Sequence, residues 1–292
     1  MVMALASTGK PPMSMTVSLE TRARNIRRHA LQMGAVQGQG YIGQALGWAD
    51  VLAVAYFHAM KLKSDDPQWE GRDRFLLSAG HYAIGHYAAL IEAGFIPQSE
   101  KETYGCDDSR LPMSEMATYT PGAEMSGGSL GLGLPIAVGM ALALRARGNP
   151  AFVYNSMSDG ELNEGSTWEA AMASSHHQLS NLICLVDINN QQADDKCDRV
   201  LRIEPLEQKW AAFGWHVQRT NHEIGIDELA QVFDNARRTD FCGPRVILFD
   251  SLMGKGVSFL ESRESDHFLR VDLAEWQRAL DELDAVQTLD KS

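Results

Sequence analysis

The stretch Ser158-Asp159-Gly160-Glu161-Leu162-Asn163-Glu164-Gly165 decides the reading, together with Val186-Asp187-Ile188-Asn189-Asn190-Gln191-Gln192 further on. Each follows a short apolar, β-rich run: AFVYNSM (151–157) before the first and NLICLVD (181–187) within the second. Two more such runs follow, WHVQRT (215–220) and RVILFDSL (245–252). All four are too apolar on both faces to border water, as central parallel strands covered by helices are. Periodicity near 3.6 marks helices starting at Leu19 and over 49–62, 80–93, 129–146, 164–178, 226–238 and 273–284. From 151 onward strand and helix alternate, which predicts an α/β fold: βαβ units in a doubly wound parallel sheet flanked by helices. Ligands bind beyond the carboxyl ends of such strands, so chemistry is sought just after 157, 187 and 252.

Asp159 and Asn189 lie thirty positions apart, the span of one βαβ unit, so both side chains can reach the same sheet edge. An Asp carboxylate, an Asn amide oxygen and a backbone carbonyl form a hard oxygen set for Mg²⁺ or Ca²⁺, and diphosphate oxygens would complete the shell. An Asp capping a helix and an Asn in a turn satisfy the same spacing.

Composition narrows the function classes. At 292 residues and 45% hydrophobic, the chain can bury a large core. A net charge of -12 without any basic run opposes nucleic-acid binding. No run approaches the roughly 18 apolar residues of a membrane span. Cys106, Cys184, Cys197 and Cys242 form no CxxC pair, so reduced thiols and a cytoplasmic location are expected. Residues 1–18 read as a flexible arm, 19–285 as one domain and 286–292 as a tail.

The segment SDGELNEGSTWEAAM…NLICLVDINN resembles the thiamine diphosphate motif, specifically that of the transketolase family. DRFLLSAGHYAIGHYAAL (73–90), TPGAEMSGGSLGLGLPIAVGMALA (120–143) and GKGVSFLE (254–261) agree with that family in the same order. The resemblance implies the diphosphate-binding domain, a six-stranded parallel sheet between helices. It also implies that the pyrimidine-binding and carboxy-terminal domains, one of which carries the glutamate that activates the cofactor, reside on a second chain. A split transketolase is expected, with this chain as its diphosphate- and metal-binding subunit, self-associating across a two-fold axis. Its reaction would move a two-carbon ketol unit from a ketose to an aldehyde. A carboligase or 2-oxo acid decarboxylating subunit is the alternative, and a non-catalytic binding subunit a third.

Carried over by position, Asp159, Asn189 and the Gln191 carbonyl resemble the metal ligands. Gly128, Ser129, Leu130, Ser158, Gly160 and Glu161 match cofactor-contacting positions. His81 and His267 match histidines that touch the diphosphate and the substrate's reacting end, and Glu164 the acid that links two active sites. Two positions depart: Tyr41 stands where the family's SGHxG histidine belongs, and Ser114 where its GHP histidine belongs. Both histidines hold the donor's hydroxyls in the family. A phenol and a hydroxyl form hydrogen bonds but do not titrate near neutrality. Cofactor binding is therefore expected to be retained and the handling of pentose phosphates altered.

Overall fold

A computed structural model describes residues 17–238, 240–263 and 267–289. Among these residues seven strands form two sheets: β1 (Gln39–Gly40), β2 (Arg74–Leu77), β3 (Val153–Ser158), β4 (Leu182–Ile188), β5 (His216–Asn221), β6 (Arg245–Asp250) and β7 (Leu269–Arg270). The main sheet is parallel throughout, in the order β2-β3-β4-β6-β5. The four apolar runs of the sequence become β3, β4, β5 and β6. β2 escapes periodicity, because four residues between Asp73 and Ser78 carry no pattern that separates strand from helix.

The sheet has both faces covered, and its residues show why. Along β4, Ile183 and Leu185 join one apolar layer, while Leu182, Cys184, Val186 and Ile188 join the other. β6 alternates in the same way, with Ile247 and Phe249 opposite Val246 and Leu248. The first layer includes Ile26 of the helix Leu19–Gln37, Ala88 of Ala83–Glu92 and Phe233 of Ile226–Ala236. The second includes Leu134 of the helix Gly133–Ala146, Ala170 of Gly165–His176 and Trp210 of Leu206–Ala212.

Several expectations are corrected. Among the described residues the main sheet has five strands, where the family resemblance implied six. At the outer edge of β2 the Asp73 amide donates to Lys61 O at 2.9 Å, and the Asp73 carboxylate accepts the Lys61 amide at 2.9 Å. The helix read over 49–62 runs as Ala49–Val54, then widens into a π turn over Ala55–Ala59 and stops before the extended Met60. The helix read from 129 begins at Gly133, and Ser129 to Leu132 close a turn instead. The last helix runs over Leu273–Leu289, so part of the segment read as a tail is helical. Residues 1–16 of the expected arm lie outside the described residues, and Ser18 caps the first helix by accepting the Thr21 amide at 3.3 Å.

The short ribbon matters most for function. β1 pairs antiparallel with β7, Gly40 opposite Leu269, and so draws Tyr41 alongside His267 and Phe268. Phe249 is fully buried at the carboxyl half of β6 and meets Trp48 edge to face, with 5.9 Å between ring centroids. Phe249→Ala removes the ring between sheet and helices and should cost about 3–5 kcal/mol, read as a lower urea midpoint with unchanged slope.

Candidate active site

β3 and β4 end side by side, Ser158 opposite Asp187, and the chain after each turns over the sheet edge. Asp159, almost wholly buried, organises both turns. Its Oδ1 accepts the Gly160 amide at 2.8 Å, and its Oδ2 accepts the amides of Asn189 (3.1 Å) and Asn190 (2.7 Å). Asn190 adopts a left-handed φ of 57°, which Asn tolerates better than most residues, and this bends the chain so that Gln191 faces the same space. Asp187 sits beside this carboxylate. It accepts the Tyr82 hydroxyl at 2.7 Å, the Asn189 side-chain amide at 3.1 Å, and the Ser251 hydroxyl.

These two acids share one dry edge. Burial first and the Asp187 charge second push Asp159 up to about 7. Burial raises Asp187 to about 6 against the hydrogen bonds it receives. Such negative charge is what a divalent cation offsets. Among the described residues no group of three or more His, Cys, Asp or Glu side chains converges for a metal, so any cation here takes oxygen from carboxylate, amide and backbone. That donor set fits Mg²⁺ rather than Zn²⁺.

Above the edge lies a cleft of about 350 Å³. His81, His267, Gly128, Leu130, Ser158, Gly160 and Gln191 line it, and so do Tyr41 and Ser114. The Tyr41 ring stands edge-on to His81 (4.8 Å between centroids), His267 (5.4 Å) and Phe268 (5.0 Å). Burial, then the neighbouring His267, hold His81 down to about 4, so it is neutral near pH 7. His267 is lowered by burial, with partial relief from a hydrogen bond to the Gln191 backbone. The wall is tight at one point: a Cβ on Gly80 would lie 2.5 Å from the Gly127 carbonyl carbon. That close backbone approach sets His81 beside Gly128.

Two of the expected cofactor contacts lie outside the cleft. Glu161 has no exposed surface, and its carboxylate accepts the Ser78 hydroxyl and the amides of Gly131 (2.8 Å) and Ser158 (3.3 Å). It ties the ends of β2 and β3 to the glycine-rich loop and does not face the cleft. Ser129 is exposed and outside the cleft's lining. Glu164, expected to link two active sites and not to line this cleft, is exposed. Sequence reasoning missed Tyr82, Asp187, Gln192 and Asp194, of which Tyr82 and Gln192 adjoin residues it named. An acid ending a strand otherwise free of charge, as Asp187 does, was a legible signal.

Residues 20–275 match the family described as "Transketolase, thiamine diphosphate binding domain". The chain belongs to the transketolase family. It is 63% identical over 269 residues to an uncharacterized transketolase family protein of Sinorhizobium fredii, covering 92% of this chain and 96% of that one. It is 37% identical to a 6-deoxy-6-sulfo-D-fructose transketolase subunit of a Clostridium species, covering 92% and 97%. The transketolase of Leishmania mexicana superposes with a TM-score of 0.81 at 28% identity. There the match covers 94% of this chain but 46% of the other, so the chain spans about half of a full-length transketolase. No helix among the described residues is long and apolar enough to cross a membrane.

The paired acids give the site a pH signature. Both carboxyls titrate higher in the native state than the ordinary 3.8 of the unfolded chain. Between that value and about 7 the native state binds more protons, so their contribution to stability falls as pH rises. Without divalent cation, the melting temperature should drop from about pH 5 to about pH 8, and Asp159→Ala should flatten the drop. Adding Mg²⁺ and thiamine diphosphate should restore more at the higher pH.

Proposed function

We propose that this chain is the diphosphate- and metal-binding subunit of a two-chain transketolase-type enzyme that transfers a two-carbon ketol unit from a ketose donor to an aldehyde acceptor. The observation that carries the reading is the single cleft in which His81, His267, Gly160 and Gln191 stand over the Asp159 edge. In this reading Asp159, Asn189 Oδ1 and the Gln191 carbonyl would hold Mg²⁺, which would offset the negative charge of a diphosphate. Gly128, Leu130, Ser158 and Gly160 admit the diphosphate against backbone, and Glu161 keeps those loops in register from beneath. When bound, thiamine diphosphate supplies the carbon nucleophile and the electron sink for the resulting carbanion. Neutral His81 donates or accepts one hydrogen bond at the reacting end without adding charge.

Tyr41 and Ser114 line the same cleft, supporting their assignment to the donor's hydroxyls. The Clostridium relative carries a sulfo-sugar in its name, which fits a family branch whose donors differ from pentose phosphates. Xylulose 5-phosphate should be a poor donor. Steady-state kinetics of the complete enzyme across ketoses and 2-oxo acids decides this: efficient turnover of xylulose 5-phosphate refutes the assignment, and selective use of a 2-oxo acid favours the carboligase alternative.

In this reading the second chain would carry the glutamate that the family resemblance assigns to activating the cofactor. Relatives named as subunits and matched over nearly their whole length support a partner. Self-association is supported by exposed apolar side chains beside exposed Glu164: Leu132, Ile136 and Met172, each between 44 and 52% exposed, at or on the neighbouring helices Gly133–Ala146 and Gly165–His176. An interface core carries such residues. Light scattering should give a homodimer for the isolated chain and an α₂β₂ heterotetramer with the partner, with activity in the heterotetramer alone. Ile136→Asp should yield monomers. Turnover by the isolated chain would overturn the split-enzyme reading.

A further inference from the structure

Ser114 lines the cleft, and the residue after it points into the core. Glu115 has no exposed surface, and its Oε2 pairs with His86 Nδ1. His86, 1% exposed on the helix Ala83–Glu92, pairs through its other ring nitrogen, Nε2, with the Tyr56 hydroxyl. Tyr56 is buried in the π turn Ala55–Ala59. Phe75 of β2 packs on the imidazole, 4.8 Å between ring centroids. A polar chain thus runs through an apolar layer, from the π turn to the loop that carries Ser114.

The same helix holds that loop a second time. The hydroxyl of Tyr87, next to His86, donates to Pro112 O at 3.0 Å. From the other side, the Glu115 amide donates to Gly80 O at 3.3 Å, one residue before His81. Pro112 and Glu115 bracket Ser114, whose Oγ lies 4.0 Å from the point a Cβ on Gly128 would occupy. Among the described residues Glu115 Oε1 has no hydrogen-bond partner, so the carboxylate depends on His86. A loop that drifts pulls Glu115 off the imidazole and strands a buried acid, which is strongly penalised. That penalty fixes the position of Ser114.

We infer that His86 and Glu115, backed by Tyr56, are positioning residues that pin Ser114 against the cleft wall and so govern how its hydroxyl meets a donor. That Ser114 meets a donor at all rests on the proposed function. The pinning of the loop does not. No motif marked His86 or Tyr56, because their connection exists only once three distant segments meet.

The variant Tyr56→Phe/His86→Leu/Glu115→Met tests the inference, since it removes the whole polar chain and leaves no buried charge unpaired. Its melting temperature should stay near that of the wild type. In the full chain, amide hydrogen exchange at position 115 should speed up about tenfold or more, while the amides of β3 and β4 keep their rates. Glu115→Gln, which still reaches His86, should keep the slow exchange. In the assembled enzyme the triple variant should bind thiamine diphosphate and Mg²⁺ as the wild type does and keep its kcat. Its KM should rise about fivefold for the fastest ketose of a panel of phosphorylated ketoses, the loss of one well-placed hydrogen bond. The KM for hydroxypyruvate, a 2-oxo acid with no hydroxyl beyond its carbonyl, should not change. Unaltered exchange at position 115, or exchange that rises equally in β3 and β4, would overturn the inference. Should the triple variant fail to fold, Tyr56→Phe alone carries the test, with about a threefold local rise expected and no local rise as the refutation. Faster exchange at position 115 with an unchanged ketose KM would refute the donor role of Ser114 and leave the pinning of the loop established.

Discussion

Everything at the working edge of this protein depends on keeping a carboxylate out of water. Asp159 is buried at the end of β3 and draws in the amides of Gly160, Asn189 and Asn190. By accepting them it fixes the two turns that form the floor of the cleft. The same burial places it beside Asp187 and raises the pKa of both. Removing the Asp159 carboxylate would leave those three amides without an acceptor, and in the proposed function a bound cation offsets the charge that the two acids share.

From that edge outward the structure is a set of supports. Glu161 stitches the ends of two strands to the glycine-rich loop from below. The β1–β7 ribbon brings Tyr41 against His267. The Gly80–Gly127 contact holds His81 beside Gly128. Each support comes from a different part of the chain, and each acts on a residue that lines the cleft. The arrangement is therefore rigid without being covered, and its open side leaves room for the part of a cofactor that this chain does not grip.

Much of this was legible in the sequence, for unequal reasons. β3, β4 and β6 announced themselves because strands buried on both faces are mostly apolar on both, and their observed bounds lie within two residues of the runs read at 151–157, 181–187 and 245–252. Asp159 and Asn189 lie at one sheet edge because one βαβ unit determines their separation, and the contact between them runs from the Asn189 backbone amide to the Asp159 carboxylate. β2 was silent, its four residues too few for a period. The sixth strand that the family resemblance implied is not found among the described residues. Glu161 was misread as a cofactor contact: position in a motif says that a residue matters, but burial decides whether it touches the ligand or holds what does. Tyr41 and Ser114 were found only as departures from a motif, and they do line one cleft although they lie far apart in sequence.

The central claim is that Asp159 holds the metal through which this chain grips thiamine diphosphate. Calorimetric titration of the cofactor into the assembled complex, with Mg²⁺ and after its removal by chelator, tests it most directly. The account predicts saturable binding of one cofactor per copy of this chain, dependent on Mg²⁺ and abolished in Asp159→Ala, because the diphosphate would then face Asp187 without a bridging cation. Equal affinity in the variant, or binding indifferent to Mg²⁺, would contradict it.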